Sequence, residues 1–127
     1  VAHPKIIQAN MLVRLPYHLG AHTQEIAKAC LDHSEELLMN IEVLKEQRER
    51  IISELTLSGL APFPSDANFV LFGGLDDARA AWNFLLSRGV LIRDVGLHGM
   101  LRVTAGTPEE TTIFLEAIAD YLKEGQQ

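Results

Sequence analysis

The sequence predicts an α+β domain in which helices cover a mostly antiparallel sheet of about three strands. The chain has 127 residues, of which 47% are hydrophobic and 22% charged, as expected of one globular domain. Apolar residues recur at helical spacing through the first half of the chain, and short apolar runs alternate with helix signals in the second half. This order of elements is typical of an α+β layer rather than a helical bundle.

The first half contains a lead-in segment followed by a long predicted helix. In residues 1–22, Pro4 favours the start of a short helix and Pro16 favours its end. From Thr23 to about Leu57, apolar residues at three- and four-residue steps predict one long N-terminal helix, roughly 50 Å long at ~1.5 Å per residue. A compact domain of this size is narrower than that, so we expect the helix to overhang its own domain unless it kinks near Asp32–Ser34.

The second half alternates strands with helices. Apolar runs predict strands over about Ala67–Phe72, Val90–Arg93 and Met100–Thr104. The Asp76–Asp77 pair marks the start of the helix that follows the first strand. The segment Thr107–Glu110 predicts the start of the last helix, because a threonine cap, a proline and a glutamate at this spacing form a capping box.

Charge and composition exclude several function classes. The formal net charge of -6 and the absence of a lysine/arginine cluster argue against a nucleic-acid or anionic membrane partner. No apolar run approaches the ~20 residues of a membrane helix, and no signal peptide is visible, so a cytoplasmic protein is expected. The single cysteine, Cys30, is expected to be a small buried helix residue. His18 and His22 straddle Gly20, so no metal site is predicted there.

Two arginines interrupt apolar strands and are the candidate site residues. Alternation along the last predicted strand places Leu101 and Val103 on the core face and Arg102 on the other face. Arg93 ends the preceding strand, so one interpretation is that the two guanidinium groups converge on a phosphate or carboxylate. The alternative is that each arginine pairs with a local carboxylate, of which Asp94 is the nearest in sequence.

The lysines bear on covalent cofactor chemistry. The chain contains only four, Lys5, Lys28, Lys45 and Lys123, and none follows a buried strand. A Schiff-base lysine with a lowered pKa is expected in such a buried place. The chain therefore offers no candidate for one.

Three segments together resemble the histidinol-phosphate aminotransferase family, most strongly its actinobacterial form. They are "VRLPYHLG" (Val13–Gly20), "PSDANFVLF" (Pro64–Phe72) and "GVLIRDVGLHGMLRVTAGTPEE" (Gly89–Glu110). The resemblance runs along essentially the whole chain but matches only the carboxy-terminal part of the family. It implies the small domain of a fold-type I pyridoxal-phosphate-dependent transferase, with residues 1–22 as an interdomain lead-in and residues 23–127 as the small, substrate-side domain. The large cofactor domain is absent from this sequence, which also lacks an initiator Met, so a fragment is expected.

The resemblance also implies a function. The family is homodimeric, uses pyridoxal 5'-phosphate and transfers an amino group between histidinol phosphate and 2-oxoglutarate in histidine biosynthesis. The arginine of its "LR-[VI]-T" strand falls on Arg102, which would bind the substrate's phosphate or carboxylate, and the "RD" arginine falls on Arg93, which would assist. Without the Schiff-base lysine, this chain alone is expected to be inactive and to hold no cofactor.

Two alternatives stay open at this point. One is the corresponding domain of an aromatic amino-acid aminotransferase. The other is a standalone, non-catalytic α/β module that binds an anion or a protein partner.

Overall fold

The computed structural model describes residues 2–15 and 19–125. Pro16, Tyr17 and His18 lie outside the described residues, and with them the predicted helix end at Pro16 and the paired spacing of His18 with His22. The described residues form helices α1 to α5 and strands β1 to β4. In chain order these are α1 Pro4–Val13, α2 Ala21–Asp32, α3 Ser34–Leu57, β1 Ala61–Pro62, β2 Phe69–Gly73, α4 Ala78–Ser87, β3 Arg93–Asp94, β4 Leu101–Thr104 and α5 Pro108–Glu124.

The predicted α+β class is confirmed. The chain divides into two compact units, Val1–Leu37 and Leu38–Gln127. The first unit holds α1, α2 and the first residues of α3, and neither α1 nor α2 contains a buried residue. Every strand belongs to the second unit. The sequence-predicted domain boundary between residues 22 and 23 stays a prediction.

The long helix expected from Thr23 to Leu57 is not continuous, because it breaks at His33, within the Asp32–Ser34 stretch where the sequence left a kink open. The backbone of His33 has φ −109° and ψ 24°, and its N–H donates to the Cys30 carbonyl at 3.2 Å. The carbonyl of His33 then accepts from Leu37 N at 3.1 Å, which starts α3. Asp32, His33 and Ser34 are poor helix formers, since short polar side chains compete for backbone hydrogen bonds. The length argument for an overhanging helix therefore fails.

Large apolar side chains of α1, α2 and the first half of α3 are exposed. Cys30 is also exposed, so its predicted burial is wrong; the apolar stripe of α2 has no partner within its unit to bury it. Isolated exposed apolar residues are ordinary, whereas a concentration in one part of a chain marks an interaction surface. The exposed residues are Ile6, Ile7, Met11, Leu12, Val13, Leu15, Leu19, Ile26, Leu31, Leu37, Leu38, Met39, Ile41 and Val43.

The second unit is built on a four-stranded sheet with strand order β1-β2-β4-β3, in which all neighbours are antiparallel. The sequence predicted about three strands, and the additional one is the two-residue edge strand β1. Pro62 suits an edge because it has no N–H to donate to a neighbour. The pairing continues at Phe63, whose N–H donates to the Leu71 carbonyl at 2.8 Å.

One face of the sheet carries the hydrophobic core. Val70, Phe72, Leu101 and Val103 point to this face, and none is more than 4% exposed. The other face carries Phe69, Leu71, Arg102 and Thr104, which are half-buried or exposed. The core face packs against one stripe of each covering helix, contributed by Ile51 and Leu55 of α3, Ala81 and Leu85 of α4, and Phe114, Ala117 and Ile118 of α5.

The predicted strand Val90–Arg93 is wrong in its bounds, since β3 begins only at Arg93. Preceding residues are held by α4 instead: Val90 N donates to the Leu85 carbonyl at 2.9 Å, and Trp82 Nε1 donates to the Ile92 carbonyl at 2.9 Å. A cavity of about 450 Å³ consequently lies between residues 89–92 and the end of β4. The capping box at the start of α5 is confirmed, with Thr107 Oγ1 accepting from Glu110 N at 3.2 Å and Glu110 Oε2 accepting from Thr107 N at 2.8 Å.

Two glycines in the loop between β3 and β4 give a matched test of backbone fit. Both have positive φ, 72° at Gly96 and 68° at Gly99, a region that costs an alanine roughly 1–2 kcal/mol. A Cβ at Gly96 would meet nothing within 4 Å, whereas a Cβ at Gly99 would lie 2.8 Å from the backbone oxygen of Leu75. We expect Gly96→Ala to lower the free energy of unfolding by about 1 kcal/mol and Gly99→Ala by at least about 2 kcal/mol. Urea denaturation measures the difference, and equal losses would contradict the clash.

Candidate functional site

The two candidate arginines lie directly opposite each other on neighbouring strands. Arg93 of β3 and Arg102 of β4 are cross-strand partners in the antiparallel register. Directly opposed residues point to the same face of a sheet, with Cβ atoms about 4.5–5.5 Å apart. The predicted convergence of the two side chains is thus matched by the backbone, which places them side by side on the face away from the core.

Arg102 stacks on an aromatic ring. Its guanidinium carbon lies 4.6 Å from the centroid of the Phe69 ring, on the neighbouring strand β2. The Nε atom of Arg102 is buried and has no hydrogen-bond partner among the described residues. Stacking fixes the plane of a guanidinium while leaving its edge available for hydrogen bonds. Phe69 therefore orients Arg102 without neutralising it.

Neither arginine forms an ion pair within residues 2–15 and 19–125, so the local ion pair considered from the sequence is not formed. Asp94 instead accepts from Arg79 Nη1 of α4 at 3.3 Å. Strand alternation explains this choice: Asp94 is the cross-strand partner of the buried Leu101, so its side chain leaves the sheet on the face opposite to Arg93.

The charge state of Asp94 follows from its partners. A hydrogen bond from Gly96 N, at 2.9 Å from Oδ1, lowers the pKa of the Asp94 carboxyl, and Arg79 lowers it further. The carboxylate is therefore ionised at neutral pH and bound to Arg79. The positive charge of Arg93 has no counterpart on its own face among the described residues.

The geometry suits the recognition of a multivalent anion. Two like charges directly opposite each other on adjacent strands repel and destabilise the pair. A phosphate or carboxylate held between them removes the repulsion, and each planar guanidinium can donate two parallel hydrogen bonds to its oxygens. Both guanidinium groups donate hydrogen bonds and carry a fixed positive charge, and these properties suit the pair to binding an anion.

The sequence did not indicate a role near the arginine pair for three side chains, those of Phe69, Arg79 and Trp82. The position of Phe69 could have been found from strand parity, because it shares a face with Leu71, the register partner of Arg102. Arg79 and Trp82 lie three residues apart on α4, a spacing that places them on one helix face. Nothing in that spacing indicates that they reach β3.

The lysines do not fit a covalently bound pyridoxal phosphate. Lys28, Lys45 and Lys123 lie on exposed helix surfaces, where they pair with Glu25, Glu42 and Asp120. Lys5 lies on the exposed surface of α1. A Schiff-base lysine needs a desolvated site. None of these four lysines lies in such a site, so none of them suits a covalent bond to the cofactor. Over the described part of the chain, no cluster of His, Cys, Asp and Glu could hold a metal ion, and no helix has the length and apolarity to cross a bilayer.

Comparisons with known proteins agree with this architecture. The sequence profile of the family "Aminotransferase class I and II" matches residues 1–118. The histidinol-phosphate aminotransferase of Paenarthrobacter aurescens is 56% identical over 117 residues, which are 92% of this chain and 32% of the relative. The enzyme of the same name from Streptomyces avermitilis is 51% identical over 123 residues, which are 97% of this chain and 33% of the relative. The chain thus spans about a third of the length of these curated relatives.

Solved structures share the fold. Histidinol-phosphate aminotransferase from Sinorhizobium meliloti, solved in complex with pyridoxal-5'-phosphate, matches with a TM-score of 0.80 and 27% identity over 95% of this chain and 35% of that one. The histidinol-phosphate aminotransferase from Clostridium acetobutylicum matches with a TM-score of 0.75 and 24% identity over 87% of this chain and 36% of that one, which shows the fold alone. The sequence profile, the relatives and the fold agree: this chain belongs to the aminotransferase class I and II family, and the predicted resemblance to histidinol-phosphate aminotransferases is confirmed.

Proposed function

We propose that this chain is the substrate-side domain of a pyridoxal-phosphate-dependent aminotransferase, in which Arg102 and Arg93 bind the anionic end of the substrate. The reaction is the transfer of an amino group from histidinol phosphate to 2-oxoglutarate, which yields imidazole acetol phosphate and glutamate. The observation that carries the proposal is the in-register arginine pair on the open face of the sheet, without an ion-pair partner in the described chain.

Within this proposal the two arginines have different parts. Arg102 is half-buried and stacked on Phe69, so its guanidinium is held in one plane before the substrate arrives. Such preorganisation lowers the entropy lost when a planar fork binds a phosphate. Arg93 is exposed and has no described stacking partner, so it adds charge and further donors to the same anion.

The remaining parts of the active site belong to the rest of the complete protein. Pyridoxal phosphate supplies the electron sink for transamination when it is bound, and its lysine comes from the large domain that precedes this region in the proposed enzyme. The exposed apolar residues of α1, α2 and α3 support contact with that domain. Residues 1–22 are then the interdomain lead-in, and residues 23–127 the small domain. A homodimer and a cytoplasmic location are part of the same proposal.

Replacement of Arg102 in the complete enzyme tests the anion site. We expect Arg102→Leu to lower kcat/KM for histidinol phosphate by roughly 30- to 1000-fold, because a charge-assisted fork worth about 2–4 kcal/mol is lost. Arg102→Lys keeps the charge but loses the planar fork, so it should recover only part of the loss. Steady-state kinetics with 2-oxoglutarate as the second substrate measure both variants.

Two controls make that test specific. Arg88 pairs with Asp120 and Glu124 on the surface, so Arg88→Ala should leave the kinetics unchanged. Histidinol, which lacks the phosphate, should be affected far less by Arg102→Leu than histidinol phosphate. Wild-type kinetics of Arg102→Leu, or equal losses for both substrates, would contradict phosphate binding by Arg102. Preference for phenylalanine over histidinol phosphate in the wild-type enzyme would identify an aromatic aminotransferase instead.

The intact mass of the natural protein tests the placement of this chain. A protein like the curated relatives has about three times the mass of this chain, because the chain covers 32% and 33% of two of them. We expect mass spectrometry of the natural protein to give that larger mass. A natural mass equal to that of the 127 residues would overturn the aminotransferase proposal in favour of a standalone anion- or partner-binding module.

A further inference from the structure

Helix α4 forms hydrogen bonds with the residues on both sides of Arg93, to a backbone carbonyl on one side and to a side-chain carboxylate on the other. On the N-terminal side, Trp82 Nε1 donates to the carbonyl of Ile92 at 2.9 Å. On the C-terminal side, Arg79 Nη1 donates to Asp94 Oδ2 at 3.3 Å. Two residues of one helix thus bind the two residues that flank Arg93.

The two helix residues act as one group. The guanidinium carbon of Arg79 lies 4.5 Å from the centroid of the Trp82 ring, so the arginine stacks on the same indole that donates to Ile92. Asp94 is fixed from a second direction, because its Oδ1 accepts from Gly96 N at 2.9 Å. Hydrogen bonds therefore connect α4, β3 and the loop after β3 next to Arg93.

This arrangement is poorly explained by stability alone. The side chain of Arg79 is 64% exposed, and ion pairs with such exposure contribute little to the free energy of unfolding. A role in the placement of Arg93 follows from the shortness of β3. Since β3 contains only Arg93 and Asp94, its register with β4 has little support from the ladder itself. A two-residue strand without contacts to a neighbouring helix would fray or slip along β4. A slip of one residue would turn the Arg93 side chain to the opposite face of the sheet.

Asp94 also stays out of the anion site. Its carboxylate lies on the helix face, where Arg79 neutralises it, so it does not compete with a substrate anion for Arg93. An unpaired aspartate next to a substrate-binding arginine would form an ion pair with it and weaken substrate binding. The ion pair of Asp94 with Arg79 prevents this.

We propose that Trp82, Arg79 and Asp94 are positioning residues that hold Arg93 in register with Arg102 and leave its guanidinium available for the substrate anion. This inference rests on the proposed function, and it assigns a role in substrate affinity to three residues that do not touch the substrate.

The test is a double-mutant cycle in the complete holoenzyme with histidinol phosphate as the probe. We expect Arg93→Leu to raise KM roughly tenfold or more, since loss of a charge-assisted hydrogen bond corresponds to about one power of ten or more in affinity. Trp82→Phe and Asp94→Ala should each raise KM roughly three- to tenfold while kcat stays within about twofold. In the Arg93→Leu background the same two substitutions should leave KM unchanged, because they act through Arg93.

A matched control separates positioning from general loss of structure. Tyr121 OH donates to the Asp77 carbonyl at 3.2 Å, so Tyr121→Phe also removes a hydrogen bond from an aromatic side chain to a backbone oxygen, but not beside Arg93. It should leave KM unchanged. Thermal unfolding of every variant shows whether a change in KM merely follows a loss of stability.

The outcomes distinguish this inference from the function on which it rests. If Arg93→Leu leaves KM unchanged, the proposed role of Arg93 fails and the positioning role fails with it. If Arg93→Leu raises KM but Trp82→Phe and Asp94→Ala do not, only the positioning role is overturned. Equal increases in KM with and without Arg93 would also overturn it, because the residues would then act by another route.

Discussion

Two positive charges face each other across β3 and β4, and the neighbouring side chains are arranged so that this pair stays unneutralised. Directly opposed like charges destabilise a strand pair, so the register of Arg93 with Arg102 costs the fold some free energy. The adjacent carboxylate of Asp94 could have removed the cost, but it leaves the sheet on the other face and binds Arg79. The surface carboxylate of Asp120 is likewise bound, to Arg88. Among the described residues, Arg93 and Arg102 therefore form no ion pair on the sheet face away from the core.

The placement of this charge follows from the two-sided sheet. All three covering helices of the second unit pack on the face of Val70, Phe72 and Leu101, so alternation sends Arg102 to the opposite face. The aromatic ring of Phe69 shares that face and stacks on the guanidinium. A hydrophobic core on one side and the proposed binding surface on the other are thus consequences of one alternating pattern.

The parts of this arrangement that depend on local pattern could be predicted from the sequence. The face of Arg102 followed from the apolar residues on either side of it, and the start of α5 followed from the spacing of Thr107, Pro108 and Glu110. The direct opposition of Arg93 and Arg102 could not be predicted, because it depends on the geometry of the loop that joins β3 and β4. The sequence left a kink near Asp32–Ser34 open but could not decide for it, since the apolar spacing continues across His33 while the helical backbone does not.

The most direct measurement of the central claim is a crystal structure of the complete enzyme with histidinol phosphate bound. We expect phosphate oxygens within about 2.7–2.9 Å of guanidinium nitrogens of both Arg102 and Arg93, as in other charge-assisted hydrogen bonds. We also expect Arg102 to remain stacked on Phe69. A phosphate bound away from both arginines, with their guanidinium groups paired to carboxylates from the remainder of the protein, would contradict anion binding by Arg93 and Arg102.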